Sequence, residues 1–114
     1  MEDPKVLDPQ KVANNLEPAF PGHPGFILKD EIESKGISQR ELAKNIGFAY
    51  TQLNEVLNGK RQISTELAML LEAYLGIEAE PLLNMQLRYN MIMARRNKSF
   101  MQKLSSLNKV AAVF

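Results

Sequence analysis

Apolar residues recur through the middle of this chain at spacings of three and four, the repeat that gathers them on one face of an α-helix. Leu42, Ala43 and Ile46 form one such set, and Leu53, Val56 and Leu57 a second. Gly47 stands between them, a residue suited to the left-handed conformation that ends a helix and turns the chain. Ser38, with Glu41 three residues later, makes a capping-box pair that starts the first of these helices. The second is predicted from about Ala49 to Leu57 and is closed by Asn58-Gly59. Ala43 is small where the two helices would cross closely, and a larger side chain there would part them.

The same punctuation predicts three further helices. One spans Pro24 to Lys35, buries Ile27, Leu28 and Ile32, and ends at Gly36. Ser64 or Thr65 caps another that buries Leu67, Leu70, Leu71 and Tyr74 and ends at Gly76. Pro81 falls in the first turn of the last, where proline is tolerated, and that helix can reach Arg96 or beyond. Residues 1–21 read as an N-terminal arm broken by prolines, with room for a short helix from Gln10 to Leu16. Residues 22–96 read as one helical domain, with the central pair at about 38–58. Residues 97–114 read as a tail, either frayed or forming an amphipathic helix of Phe100, Met101, Leu104 and Leu107 with Lys103 and Lys109 outside.

Two short helices joined at a glycine, the second with a polar outer face, are the pattern of a helix-turn-helix DNA reader. Such a motif lays its second helix in the major groove and presents mainly that helix's N-terminal residues to the bases. Tyr50, Thr51, Asn54 and Glu55 are therefore the candidate base contacts. Asn54 can pair bidentately with adenine, and Glu55 can accept from a cytosine amine or pair with Arg61 or a neighbouring helix. Gln39, Arg40, Asn58, Lys60 and Arg61 are placed to meet phosphates.

The predicted last helix carries more apolar residues than one core stripe needs. Met85, Met91 and Met93 interleave with Leu87, Tyr89 and Ile92. Methionine fills gaps in cores, so packing within the chain is one reading. A dimer seam is the other, because two-fold symmetry matches palindromic half-sites. On that reading Leu82, Met85, Tyr89, Ile92 and Met93 form the dimer interface.

Composition narrows the function. A chain of 114 residues with 45% hydrophobic residues is one domain with a modest core. It has no cysteine, so disulfides, thiol chemistry and cysteine zinc sites are excluded. The single histidine, His23, stands beside prolines and a glycine with no second catalytic group in view, and no phosphate-binding glycine loop or metal-ligand spacing occurs. The chain is expected to be neither an enzyme nor a cofactor protein. No apolar run approaches membrane-spanning length and no signal peptide opens the chain, so a cytoplasmic, bacterial, nucleoid-associated location is expected.

The net charge of +1 conceals an asymmetry. All thirteen acidic residues lie at or before Glu80, against eight basic ones, a balance of −5, while six basic residues and no acid follow Pro81. A DNA-reading surface on such a headpiece must concentrate its cations locally, at Arg40, Lys44, Lys60 and Arg61, and its affinity must be strongly salt-sensitive.

Residues 39–58 resemble the helix-turn-helix of the Xre/Cro/phage-repressor superfamily. Together, His23-Pro24-Gly25, Ile37-Ser38-Gln39-Arg40-Glu41-Leu42-Ala43, Leu57-Asn58-Gly59-Lys60-Arg61 and Met85-Gln86-Leu87-Arg88-Tyr89 resemble the HigA-type antitoxins over roughly Pro21 to Arg96. The resemblance implies an all-α, five-helix lambda-repressor-like domain with an extended last helix and flanking tails. It also implies a homodimer on a palindromic operator in double-stranded DNA, repression of its own operon, and neutralisation of a RelE-like endoribonuclease toxin. The chain departs from the family where a Ser-Pro pair and a core Trp are usual. Here Glu78-Ala79-Glu80-Pro81-Leu82 stands, with no Trp in the chain and Leu82 in its place. Arg88-Tyr89-Asn90 replaces Arg-Tyr-Asp, and Phe48-Ala49-Tyr50 opens the reading helix, so the operator sequence does not carry over. An Xre-type regulator without a toxin, and a helical interaction module that does not bind DNA, are the competing readings.

Overall fold

A computed structural model describes residues 22–110. Six helices occur among them, and no strand: α1 (Pro24–Ser34), α2 (Gln39–Ile46), α3 (Tyr50–Leu57), α4 (Thr65–Leu75), α5 (Ala79–Arg96) and α6 (Lys98–Ser105). The arm, with the short helix expected from Gln10 to Leu16, and residues 111–114 lie outside the described residues.

Most helix ends are set by the residues that the punctuation singles out. Ser38 Oγ accepts from the Glu41 backbone N–H at 3.0 Å, satisfying one of the donors that the first turn leaves without a partner. Gly47 closes α2 in the left-handed conformation, with φ at 70°. Ser64, rather than Thr65, caps α4. His23 caps α1 through its ring, whose Nδ1 accepts from the Gly25 N–H at 2.9 Å, and Pro24 follows in the first turn. Only backbone precedes α3, since its cap residue is Ala49.

Residues 22–89 belong to one compact unit. In it α2 and α3 pack together, α1 lies against α3, and α4 lies against α2. Leu28, Ile32, Leu42, Ala43, Ile46, Leu53, Val56, Leu57, Ile63, Leu67, Ala68, Leu71, Ala79 and Leu82 form the core. Of the expected core residues, Leu70 is partly buried against this core and two others lie outside it. Ile27 is about half exposed, because the buried stripe of α1 runs through Pro24, Gly25, Leu28 and Ile32 and leaves 27 on its flank. Tyr74 is also about half exposed, because α4 buries Leu67, Ala68 and Leu71; its hydroxyl accepts from Asn45 Nδ2 at 2.8 Å, bracing α4 on α2.

The start of α5 joins this core through Leu82 and through Gln86, a buried amide whose Oε1 accepts from the Ile63 N–H at 2.9 Å. This bears on the expected dimer interface. Leu82 is 3% exposed inside its own core, and Ile92 is 4% exposed. Met85 and Tyr89 are half-buried, and Tyr89 is occupied by the His23 ring. Of the five, Met93 remains exposed, and the other exposed apolar side chains of α5 are Leu87 and Met91.

Residues 90–110 belong to a second unit. The tail forms an amphipathic helix, α6, started by Asn97 Oδ1 accepting from the Phe100 N–H, and none of its side chains is buried. Among the described residues no helix is long and apolar enough to cross a membrane.

Candidate nucleic-acid interface

The buried spacing of α3 determines what faces outward. With Leu53, Val56 and Leu57 inside, Thr51 and Gln52 are fully outside, and Asn54, Glu55 and Asn58 lie at the margin. Thr51 thus stands exposed in the first turn, as a base-reading side chain must. Gln52 is equally exposed in the same turn and was not among the sequence candidates. The periodicity that buries Leu53 and Val56 is the signal that could have found it.

Asn54 and Gln39 are brought together. Asn54 Nδ2 donates to Gln39 Oε1 at 2.8 Å, across the turn from α3 to α2. The bond leaves the Gln39 amide with both donors, and Asn54 with its oxygen and one N–H. Those are the groups that a phosphate and an adenine edge require, respectively. One contact therefore orients a backbone-facing and a base-facing side chain together.

Tyr50 is half-buried against the core, and the Arg40 guanidinium lies 4.3 Å from its ring centroid. The ring is a platform for Arg40, a cation–π contact that fixes the guanidinium over the start of the reading helix. Asn58 is engaged within the chain. Its Nδ2 donates to the Asn54 carbonyl at 2.9 Å and its Oδ1 accepts from Lys29 Nζ at 3.1 Å, so its amide is engaged at both ends. The cation that Asn58 holds, Lys29 of α1, becomes the candidate in its place. Nothing in the spacing of Lys29 reveals this, because the contact joins residues 29 positions apart.

Glu55 is also paired within the chain. Its carboxylate accepts from Arg61 Nε at 2.7 Å, the alternative that its position left open. Both partners are more than a third exposed, and such pairs contribute about 0.2–1 kcal/mol. The pair matters more for charge, since it offsets one of the few cations on this face. Replacing Glu55 by Gln should therefore leave the melting temperature nearly unchanged and raise affinity for DNA of any sequence by about three- to tenfold at low salt. A fluorescence-anisotropy titration checks this. A selective loss of affinity for one sequence would instead make Glu55 a base reader.

Lys60 is exposed just past the reading helix. The exit that carries Lys60 and Arg61 is tied down from behind by His23. That ring is 1% exposed, and the Arg61 backbone carbonyl accepts a hydrogen bond from it. Because Nδ1 already accepts from Gly25, the donor is Nε2–H, which defines the neutral tautomer. Burial holds the ring's pKa below the ordinary histidine value, and the Arg61 carbonyl opposes this only in part. The Tyr89 ring stands edge-on to it at 4.9 Å. The HPG opening and the QLRY segment, far apart in sequence, thus meet behind the reading helix.

A helix-turn-helix family model matches residues 28–82. Virulence-associated protein I of Dichelobacter nodosus is 36% identical over 77 residues, which cover 67% of this chain and 71% of that protein. An addiction module antidote protein of a HigA family from Coxiella burnetii is 31% identical, with a TM-score of 0.66 over 79% of this chain and 98% of that one. The Pseudomonas aeruginosa antitoxin HigA, solved with the higBA promoter, is 27% identical, with a TM-score of 0.69 over 81% of this chain and 100% of that one.

Proposed function

Since this chain belongs to the HigA family of helix-turn-helix proteins, we propose that it is a repressor that binds the operator of its own operon and acts as the antitoxin of a type II toxin–antitoxin pair. It is a DNA-binding regulator and not an enzyme. The observation that carries the reading is the outer face of α3. Thr51, Gln52 and Asn54 stand on it, Asn54 is oriented by Gln39, and Lys29, Arg40, Lys60 and Arg61 flank it.

Each of these groups takes one part of the work. Thr51, Gln52 and Asn54 meet base edges in the major groove, and Gln39 donates to the adjoining phosphate. Lys29, Arg40, Lys60 and Arg61 neutralise the backbone on either side, releasing counterions and making the affinity salt-dependent. A homodimer doubles this patch and aligns it with two half-sites one helical turn apart. The exposed Leu87, Met91 and Met93 of α5 supply apolar surface for the pairing. The partner neutralised is a RelE-like endoribonuclease, as in the family, and the pair acts in the bacterial cytoplasm at the nucleoid.

A gel-shift titration against the chain's own promoter, with scrambled DNA and two salt concentrations, tests the repressor reading. Binding that prefers the promoter and weakens steeply with salt is expected. Equal affinity for both DNAs would remove autoregulation. A small basic open reading frame beside the gene, whose product co-purifies with this chain, is the expected sign of the toxin. Its absence would make the chain an Xre-type regulator without a toxin.

A further inference from the structure

His23 ties together three parts of the molecule that the reading surface depends on. Its Nδ1 accepts from Gly25, which sets the start of α1. Its other nitrogen donates to the Arg61 carbonyl, on the exit from α3. Its ring packs edge-on against Phe26 at 6.2 Å and Tyr89 at 4.9 Å, the latter on α5. Phe26 in turn lies against Gly59, the left-handed residue that ends α3. The side chain is 1% exposed, so the ring reaches solvent only if these contacts open.

We propose that His23 is a positioning residue that makes DNA binding responsive to pH: the neutral ring latches the Lys60–Arg61 exit into its DNA-facing place, and protonation releases it. The argument is one of donors and acceptors. A neutral imidazole has one of each, and both are used here, the acceptor by Gly25 and the donor by Arg61. A proton added to Nδ1 points a second N–H at the Gly25 N–H. Two donors then face each other in a buried site, and the cap of α1 fails. Gly25 is also the residue at which α1 abuts the Val56 backbone of α3, so an opening there is passed directly to the reading helix.

The groups around the ring do not rescue the cation. Gly25 and Phe26 face it from its own helix, the Arg61 carbonyl from the exit of α3, and Tyr89 from α5. The Arg61 guanidinium is bound to Glu55, and among the described residues no carboxylate is a cause of the ring's shifted proton affinity. The unfolded chain, with an ordinary histidine, takes up the proton more readily than the folded one. Stability is thus complete above the unfolded value of 6.5 and falls as pH drops below it. Because the chain has a single histidine and no cysteine, a pH effect between about 5.5 and 7 is assigned to this one side chain.

This inference rests on the DNA-reading role of α3, and its test separates the two. Affinity for a duplex of the chain's own promoter is measured by anisotropy from pH 5.5 to 8, with circular dichroism confirming the fold at each point. For the wild type, binding at pH 5.5 is expected to be at least fivefold weaker than at pH 7.5. The His23→Asn variant keeps a capping oxygen but has no titratable ring, so its affinity should stay within twofold across the range. A flat wild-type profile with the fold intact would overturn the proposal. If His23→Asn fails to fold, an NMR titration of the wild type decides. The His23 ring and the Arg61 amide should shift with one midpoint, and an Arg61 amide that does not follow the ring would overturn the latch. Absence of DNA binding at every pH would refute the reading role, and the NMR titration would still decide the latch.

Discussion

Replacing Gly25 by Ala should destabilise this protein by about 3 kcal/mol, the upper end of what overpacking costs, although helix propensity alone predicts the opposite sign. Inside a helix Ala is favoured over Gly by about 1 kcal/mol. A Cβ at Gly25, however, would lie 1.8 Å from the Val56 carbonyl oxygen and 2.8 Å from its carbon. Ordinary contact begins near 3.4 Å, so α1 and α3 would have to separate by more than an ångström. The obstacle is backbone in the last turn of α3, with no rotamer to relieve it. For a domain of this size each kcal/mol moves the melting temperature by roughly 4–8 °C, giving a loss of roughly 12–24 °C in a thermal melt followed by circular dichroism. Gly47→Ala is the comparison. Its φ of 70° strains any other residue, but nothing lies within 4 Å of the added methyl, so the cost should stay near the 1–2 kcal/mol of a left-handed alanine. A Gly25→Ala protein that melts like the wild type would mean that α1 does not abut the reading helix.

The contrast between these two glycines indicates which features are legible in a sequence. Gly47 announces itself by its place between two apolar periodicities, and the helix it ends is where the spacing puts it. Gly25 falls in the first turn of the helix predicted from Pro24, where nothing local marks it, and is in fact a point of close backbone approach between α1 and α3. Local signals, such as the Ser38 and Ser64 caps and the Leu53–Val56–Leu57 stripe, depend on neighbours three and four residues away and are therefore readable. Ile27 and Tyr74 were misplaced because an apolar residue on the flank of a stripe resembles one at its centre until the partner helix is known. Leu82 admitted two places, core or dimer seam, and the structure assigns it to the core.

The candidate site divides in the same way. The exposure of Thr51 and of Asn54 at the margin follows from helical phase, and the Arg61–Glu55 pair, six residues apart, is one of the options that the sequence leaves open for Glu55. The Lys29–Asn58 and Asn54–Gln39 bonds join different helices and have no local signature. His23 shows the limit most clearly. A lone histidine beside two prolines offers no hint of a role, yet its ring joins the start of α1, the exit of α3 and α5.

Charge reversal at Lys60 and Arg61 together should abolish operator binding while leaving the fold intact. Both side chains are exposed, so the substitutions remove no core contact, and the backbone bonds that shape the exit, such as Lys60 N–H to the Glu55 carbonyl at 2.8 Å, do not depend on side chains. In a dimer the change removes four cations from the DNA face and installs four anions. Each lost phosphate contact lowers the salt slope by about one, so the slope should fall by about four and affinity on the order of 1000-fold or more at moderate salt. Position, and not only net charge, decides the result. Reversing Lys98 and Lys103, exposed on α6, changes the total by the same amount and should weaken binding by less than about tenfold. The loss should also exceed that of simple neutralisation. With Arg61 gone, Glu55 stands unpaired on the same face, so adding Glu55→Gln to the double reversal should restore part of the affinity. Equal losses from the two reversals would mean that the DNA senses only overall charge. A Lys60/Arg61 reversal with no effect would remove the exit of α3 from the interface and leave the chain a helical interaction module.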